Sequence, residues 1–173
     1  MTAIRKRRGS VGWLWLSLVI VVLDQATKLL VLSRIELYDR IPIIPHLDLT
    51  HLHNTGAAFS FLSDAGGWQR WFFVVLGLSV SGLVAVWLTR IPAGRKLWLS
   101  AALALIVGGA IGNVIDRLVL GYVVDFVLLH YERWHFPAFN VADSGITVGA
   151  AILLIESVMA RDGRIEPKHR IGQ

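Results

Sequence analysis

The order of hydrophobic and polar positions along the chain is dominated by four long apolar runs with polar segments between them. The runs cover approximately residues 11–32, 71–88, 97–115 and 139–159. A helix needs about 20 residues to cross the hydrocarbon core of a bilayer. Each run is close to that length, so the pattern predicts four transmembrane helices.

The first apolar run follows basic residues, as the apolar part of a secretory signal does, but it is longer, and small residues typical of a cleavage site do not follow it. We therefore expect a retained helix. The basic residues cluster beside the inner ends of the runs, which favours a cytoplasmic location for both termini. Two outer loops follow from this orientation, at residues 33–69 and 117–138.

The first outer loop contains an alternating segment, L-D-L-T-H-L-H at 47–53, which favours an extended strand. Pro42 and Pro45 disfavour a helix before it. We expect a small β element and a loop on the outer membrane face. The predicted fold class is therefore a mainly α, integral membrane protein, formed by a single domain over residues 1–173.

The composition agrees with a membrane protein. Hydrophobic residues make up 55% of the chain and charged residues only 17%, against about 25% charged in soluble domains. The net charge of +5 does not predict nucleic-acid binding, because the basic residues lie at the ends of apolar runs and not along one face. Since the chain has no cysteine, it has no disulfide, thiolate metal site or cysteine nucleophile.

Two carboxylates lie in the largely apolar and aromatic segment 122–144. An unpaired charge in a membrane helix costs about 2.5 to 3.5 kcal/mol, so each acid needs an explanation. Asp143 could belong to a helix cap together with Asn140. Asp125 could be the outward residue of an edge strand. A third interpretation is that the 17-residue connection returns the chain and brings the two acids together as a catalytic pair.

Other polar residues are predicted at the same membrane depth. With a rise of about 1.5 Å per residue, Asp24 and Lys28 lie in the outer part of the first helix. At spacing i, i+4 they can also simply neutralise each other. Asn113, Asp116 and Arg117 end the third helix at the outer boundary. The convergence of these groups predicts a site in the outer leaflet.

Several other kinds of site are disfavoured. Gly108 and Gly112 form a small-xxx-small pair typical of helix packing, and no strand precedes them as a phosphate loop would require. His51 and His53 would need further ligands to hold a metal, and there is no H-E-x-x-H motif. Ser144 lacks an obvious base and does not lie in a G-x-S-x-G motif. We expect neither a metal nor an organic cofactor.

Two neighbouring carboxylates cannot both ionise easily, so one retains a proton near neutral pH. One acid can then activate water while the other protonates a carbonyl, which is the chemistry of peptide hydrolysis. The leading hypothesis is therefore an aspartic peptidase. The alternatives are a small proton-coupled transporter or lipid carrier that uses the acids as a relay, and a non-catalytic membrane binding module.

Five motifs, in this order, make the chain resemble the bacterial lipoprotein signal peptidases, also called type II signal peptidases. They are D-Q-A-T-K at 24–28, N-T-G-A-A-F-S at 54–60, G-N-V-I-D-R at 112–117, V-V-D-F at 123–126 and F-N-V-A-D-S at 139–144. The resemblance covers nearly the whole chain, from about Trp13 to Met159. It implies a four-helix aspartic peptidase of the bacterial inner membrane with a β-cradle and a flap over a site at the outer face.

The resemblance also implies roles for individual residues. Asp125 and Asp143 correspond to the catalytic aspartates. Substrate-binding or dyad-supporting roles fall to Asn54, Gly56, Asn113, Arg117 and Asn140, and structural support to Asp24, Lys28 and Asp116. The implied substrate is a diacylglyceryl-modified prolipoprotein, cut on the amino side of its lipobox cysteine. Membrane lipid and inhibitors of the globomycin type are further implied partners, and we expect a monomer.

Overall fold

The computed structural model describes residues 10–56, 67–92 and 96–161. A short 3-10 turn at Ser10–Trp13 leads into the first of the long helices in this part of the chain. The helices are α1 Leu14–Arg34, α2 Trp68–Arg90, α3 Leu97–Val119 and α4 Val141–Arg161. All four are long and apolar enough to cross a membrane. The predicted mainly helical membrane fold is therefore confirmed.

Helix α3 lies at the centre of the bundle and packs against each of the other three helices. Its small residues allow this close packing. A Cβ at Gly108 would lie 2.8 Å from the backbone oxygen of Ser17 on α1. A Cβ at Gly112 would lie 2.6 Å from the Asp24 carboxylate. The small-xxx-small pair is thus a helix-packing surface, as predicted, and it lets α1 approach the polar end of α3.

An antiparallel sheet lies at the end of the bundle where α1 and α3 finish and α4 begins, in the order β1, β2, β3, β4. The strands are β1 Arg40–Ile44, β2 Leu47–Asn54, β3 Val123–Tyr131 and β4 Trp134–His135. The alternating segment of the first outer loop therefore forms β2, as its pattern predicts. A register shift between Leu49 and Leu52 breaks the pairing of β2 with β3.

Strand β3 has a partner on each of its edges. On one side it pairs with β2, where Leu52 is opposite Asp125. On the other side the segment before α4 forms an isolated bridge, in which the Val127 amide donates to the Phe139 carbonyl at 2.8 Å. Asp125 is only 3% exposed. The interpretation of Asp125 as an outward residue of an edge strand is therefore wrong, because β3 is paired on both edges and the Asp125 side chain is buried against Asn54 and Asn140.

The sheet is fixed to the bundle by a small apolar core. Val31 and Ile35 at the end of α1 pack against Val124 and Phe126 of β3. Between α3 and β3 the chain turns at Gly121, whose φ of +90° suits glycine. This turn and this core place the start of β3 at the C-terminal ends of α1 and α3.

The rest of the first outer loop includes residues 57–66, which lie outside the described residues. Residues 57–60 of this segment belong to the motif at 54–60. The flap that the resemblance implies stays a prediction.

Candidate active site

The two acids of the segment 122–144 approach each other from different elements. Asp125 comes from β3 and Asp143 from the first turn of α4. Asn140 bridges them: its side-chain amide donates to Asp125 Oδ1 at 2.8 Å, and its backbone amide donates to Asp143 Oδ2 at 3.3 Å. The structure therefore brings together two carboxyl groups that are 18 residues apart in the sequence.

The bridge is also a helix cap. Asn140 precedes α4, and its side-chain oxygen accepts a hydrogen bond from the backbone amide of Asp143 at 2.9 Å. Together with the reciprocal contact from the Asn140 backbone to the Asp143 carboxylate, this is a capping box. The helix-cap interpretation of these residues and the acid-pair interpretation are thus both compatible with the geometry. The cap fixes the position of one acid relative to the other.

Two further asparagines donate to the remaining carboxylate oxygens. Asn54 Nδ2 lies 2.9 Å from Asp125 Oδ2, and Asn113 Nδ2 lies 2.7 Å from Asp143 Oδ1. Each of the four carboxylate oxygens therefore accepts a hydrogen bond from an amide. This arrangement holds both carboxyl groups in fixed orientations and supports negative charge on the pair.

The environment of Asp125 favours its protonated form. Burial and the nearby charge of Asp143 raise the pKa of Asp125 from 3.8 to about 7, with burial the larger cause. The hydrogen bonds from Asn54 and Asn140, and the positive charge of Lys28, oppose this rise. Asp125 is thus about half protonated at pH 7, where an ordinary aspartate is fully ionised, as expected for one member of a carboxyl pair.

A buried ionic cluster lies next to the pair, between α1 and α3. Lys28 Nζ lies 2.8 Å from Asp24, 2.9 Å from Asp116 and 3.0 Å from the Asn113 side-chain oxygen. All three ammonium hydrogens therefore have an acceptor. Lys28 is 2% and Asp24 0% exposed. The predicted neutralisation of Asp24 by Lys28 is present, and Asp116 and Asn113 join it.

This ionic cluster also fixes neighbouring backbone. Asp24 Oδ1 accepts a hydrogen bond from the Ala142 amide at 2.9 Å, and Asp116 Oδ2 accepts one from the Val124 amide at 3.1 Å. Val124 and Ala142 each precede an acid of the pair by one residue. The cluster therefore positions both chain segments that carry the acids.

Sequence reasoning assigned no role to Gln25, although it lies in the first motif. Its side-chain amide donates to Asp116 Oδ1 at 2.8 Å, and it also reaches Asp24 and the Gly112 carbonyl. A polar residue between Asp24 and Lys28 in an apolar helix was the available signal. Gln25 completes the polar layer between α1 and α3.

Arg117 lies one turn after Asn113 on α3, near the pair. It is close enough to Asp143 and Asp125 to attract both electrostatically, and Asp116 to a smaller extent. Its Nη1 donates to the Asn113 carbonyl at 3.2 Å, and its guanidinium carbon lies 4.8 Å from the centre of the Phe73 ring. The buried Nε has no hydrogen-bond partner among the described residues.

Gly56 lies beside the asparagine that contacts Asp125. Its backbone amide donates to the Asn54 side-chain oxygen at 2.8 Å, and its φ is +117°. This turn orients Asn54 so that its side-chain amide nitrogen faces Asp125.

The side chains considered for a metal site or a serine nucleophile have hydrogen-bond partners within the protein. In the described ranges, no group of three or more His, Asp or Glu side chains could hold a metal ion. His51 and His53 face each other, with their Nε2 atoms 3.0 Å apart, and His51 Nδ1 is occupied by the Ile35 carbonyl at 2.9 Å. The Ser144 hydroxyl is hydrogen-bonded to the Asn140 carbonyl at 2.9 Å.

Four membrane-length helices, a small sheet at one end of the bundle and two bridged carboxyl groups define a multi-pass membrane protein with an aspartate pair as its candidate site. Comparison with known proteins agrees with this class. The family model described as signal peptidase (SPase) II matches residues 16–159. The chain belongs to the signal peptidase II family, and it is therefore a peptidase.

Individual relatives match over most of their length. A lipoprotein signal peptidase from Pseudomonas fluorescens (strain Pf0-1) is 52% identical over 153 residues, which cover 87% of this chain and 89% of that protein. One from Pseudomonas putida is 51% identical over 166 residues, covering 94% and 95%. A solved bacterial membrane enzyme superposes with a TM-score of 0.78 at 28% identity, covering 92% and 94%. These relatives give no support to the transporter alternative.

Proposed function

We propose that this protein is an aspartic endopeptidase that removes the signal peptide from diacylglyceryl-modified prolipoproteins, on the amino side of the lipobox cysteine. The observation that carries this proposal is the pair of carboxyl groups bridged by Asn140, in which the pKa of Asp125 is raised to about 7. Membership of the signal peptidase II family and the names of the relatives supply the substrate class.

The proposed reaction uses the two acids in different protonation states. Asp143 takes a proton from a water molecule, whose oxygen attacks the scissile carbonyl carbon, while Asp125 gives its proton to the carbonyl oxygen. The tetrahedral intermediate then expels the cysteine amine, which takes the proton held by Asp143. Asp125 recovers a proton from the hydroxyl of the collapsing intermediate. Both acids return to their initial states, and no acyl-enzyme is formed.

The supporting residues have separate proposed roles. Asn54, Asn113 and Asn140 hold the acids through the contacts described above, and Gly56 shapes the turn beside Asn54. Arg117 places a positive charge near the pair, where it can stabilise negative charge on the acids or on the substrate. Asp24, Lys28 and Asp116 position the backbone that carries the acids.

The location of the site suits a lipid-bearing substrate. Asp143 lies in the first turn of α4, and Asn113 and Arg117 lie near the end of α3, so the pair is at one end of the bundle. We place this end at the outer face of the bacterial inner membrane, with both termini in the cytoplasm, because the basic clusters lie at the other end. A diacylglyceryl group can remain in the bilayer while the peptide reaches the acids. Globomycin-type inhibitors would occupy the same site, and the functional unit is a monomer.

The test is cleavage of a synthetic diacylated precursor by the purified protein in liposomes. Asp125→Asn and Asp143→Asn should each abolish release of the signal peptide, because neither amide can exchange a proton as the carboxyl group does. Asp48→Asn is a matched control, since Asp48 is a buried acid of β2 that pairs with His130 at 3.3 Å. It should retain activity.

Thermal unfolding in detergent should show that both inactive variants are folded. Near-normal turnover by either variant would disprove the dyad assignment. If the wild-type protein instead dissipated a proton gradient across the liposome and released no peptide, the transporter alternative would replace the peptidase.

A further inference from the structure

Helix α2 contributes a residue to the site through an apolar side chain. None of the five sequence motifs lies in α2, so no site residue was predicted on this helix. Phe73 lies in its second turn and is partly buried. Its ring contacts two elements of the site at once, Arg117 of α3 and Gly56 after β2. Most of α2 faces outward with apolar side chains, so a ring directed at charged residues is an exception on this helix.

The contact with Arg117 determines where its positive charge lies. The guanidinium carbon is 4.8 Å from the ring centre, which is within cation–π distance. The only hydrogen bond recorded for the guanidinium in the described ranges goes to the Asn113 carbonyl at 3.2 Å. One hydrogen bond leaves the orientation of the group poorly fixed. The Phe73 ring supplies the second contact that fixes it.

The contact with Gly56 determines the shape of the turn next to Asp125. A Cβ at Gly56 would lie 2.6 Å from Cε2 and 2.9 Å from Cδ2 of Phe73, closer than real Cβ atoms approach. The ring therefore packs directly on the backbone of Gly56. The Gly56 amide in turn orients Asn54, whose side chain donates to Asp125. One ring thus supports contacts to both acids.

We propose that Phe73 is a positioning residue of the active site, which holds the Arg117 guanidinium towards the acid pair and packs the Gly56 turn that orients Asn54. It acts through these residues and does not itself take part in proton transfer. The inference rests on the proposed peptidase function. It predicts that an aromatic ring is needed at position 73, and that apolar volume alone is insufficient.

The test compares Phe73→Leu, which keeps a large apolar side chain but removes the ring, with Phe73→Tyr, which keeps the ring. Phe73→Leu should lower kcat about 2- to 30-fold, the range expected for loss of one cation–π contact. Phe73→Tyr should restore most of the activity. Trp87→Leu is the control, because it removes an aromatic ring that is 47% exposed near the other end of α2. It should behave as the wild type.

The pH profile separates positioning from a general loss of structure. Arg117 and Lys28 are the cations near the pair, and Asp24 and Asp116 are the nearby anions. If the Arg117 charge moves away in Phe73→Leu, the negative form of Asp125 loses stabilisation. The alkaline limb of the profile of kcat/KM, which reports Asp125, should then move to higher pH. A merely structural defect would lower the whole profile without moving this limb.

The proposal is overturned if Phe73→Leu has wild-type kcat, or if its lower activity comes with an unmoved alkaline limb. The failure of the proposed function is a different result, because the wild-type protein would then release no signal peptide from the precursor.

Discussion

Asn54→Ala tests whether the hydrogen bond from Asn54 sets the protonation of the acid pair. In the wild-type protein Asn54 Nδ2 donates to Asp125 Oδ2 at 2.9 Å. A donor stabilises the ionised carboxylate, so this contact lowers the pKa of Asp125, which burial and Asp143 raise to about 7. Removal of the donor should therefore raise the pKa of Asp125 further.

The size of this shift follows from the energy of the bond. A hydrogen bond to a charged group contributes about 1.5 to 3 kcal/mol, and one pKa unit corresponds to about 1.4 kcal/mol. The expected increase is about one to two units. Since the proposed mechanism needs the protonated form of Asp125, wild-type activity should fall about tenfold per pH unit above pH 7. In Asn54→Ala this fall should begin one to two units higher.

The assay is the pH dependence of kcat/KM for cleavage of a synthetic diacylated precursor in detergent micelles, between about pH 5 and 10. Thr50→Ala is the matched control. Thr50 is a buried residue of the same strand, and its hydroxyl donates to the Asp39 carbonyl at 2.8 Å, away from the acids. It should leave the alkaline limb unchanged. An Asn54→Ala limb that stays in place, or moves to lower pH, would refute the assignment of Asp125 as the protonated partner.

Two further predictions concern stability and the nucleophile. Lys28→Met leaves the buried carboxylates of Asp24 and Asp116 without their shared cation, and it should destabilise the protein by about 3 to 5 kcal/mol in thermal unfolding. Arg34→Met, at the exposed end of α1, is the control and should have little effect on stability. An equal loss of stability in both variants would contradict the role of the ionic cluster. Ser144→Ala should keep near-wild-type kcat in the cleavage assay, because the Ser144 hydroxyl donates to the backbone carbonyl of Asn140. A loss of 1000-fold or more would favour a serine nucleophile.

The helices were predictable because hydropathy along the chain is a local property. An apolar run of about 20 residues is long enough to span a bilayer as a helix, whichever residues pack against it. Strand β2 was predictable for a similar reason, since alternation within 47–53 is visible without any partner. Asp125 and Asp143 were identifiable because isolated acids in apolar segments need partners.

The interpretation of Asp125 as an outward residue failed because it considered the residue pattern of β3 alone, without the segments that pair with it. Pairing with β2 and with Phe139 makes β3 an inner strand, and Asn54 and Asn140 contact the buried Asp125 carboxylate. These partners are distant in sequence or follow a long turn. Similarly, the helix cap and the acid pair looked like competing explanations of Asn140 and Asp143. The fold satisfies both, because the side-chain amide of Asn140 points away from its own helix to Asp125.

By itself, the sequence determined the membrane-spanning segments, the presence of an outer strand and which polar residues required an explanation. The tertiary structure alone decided that Asn140 bridges the acids, that Lys28 has three acceptors and that Phe73 lies against Arg117. A phenylalanine in an apolar helix has no distinguishing signal in the sequence. The role of Phe73 depends on the side chain that lies over its ring when α2 packs against α3. This packing is fixed only when the whole bundle is assembled.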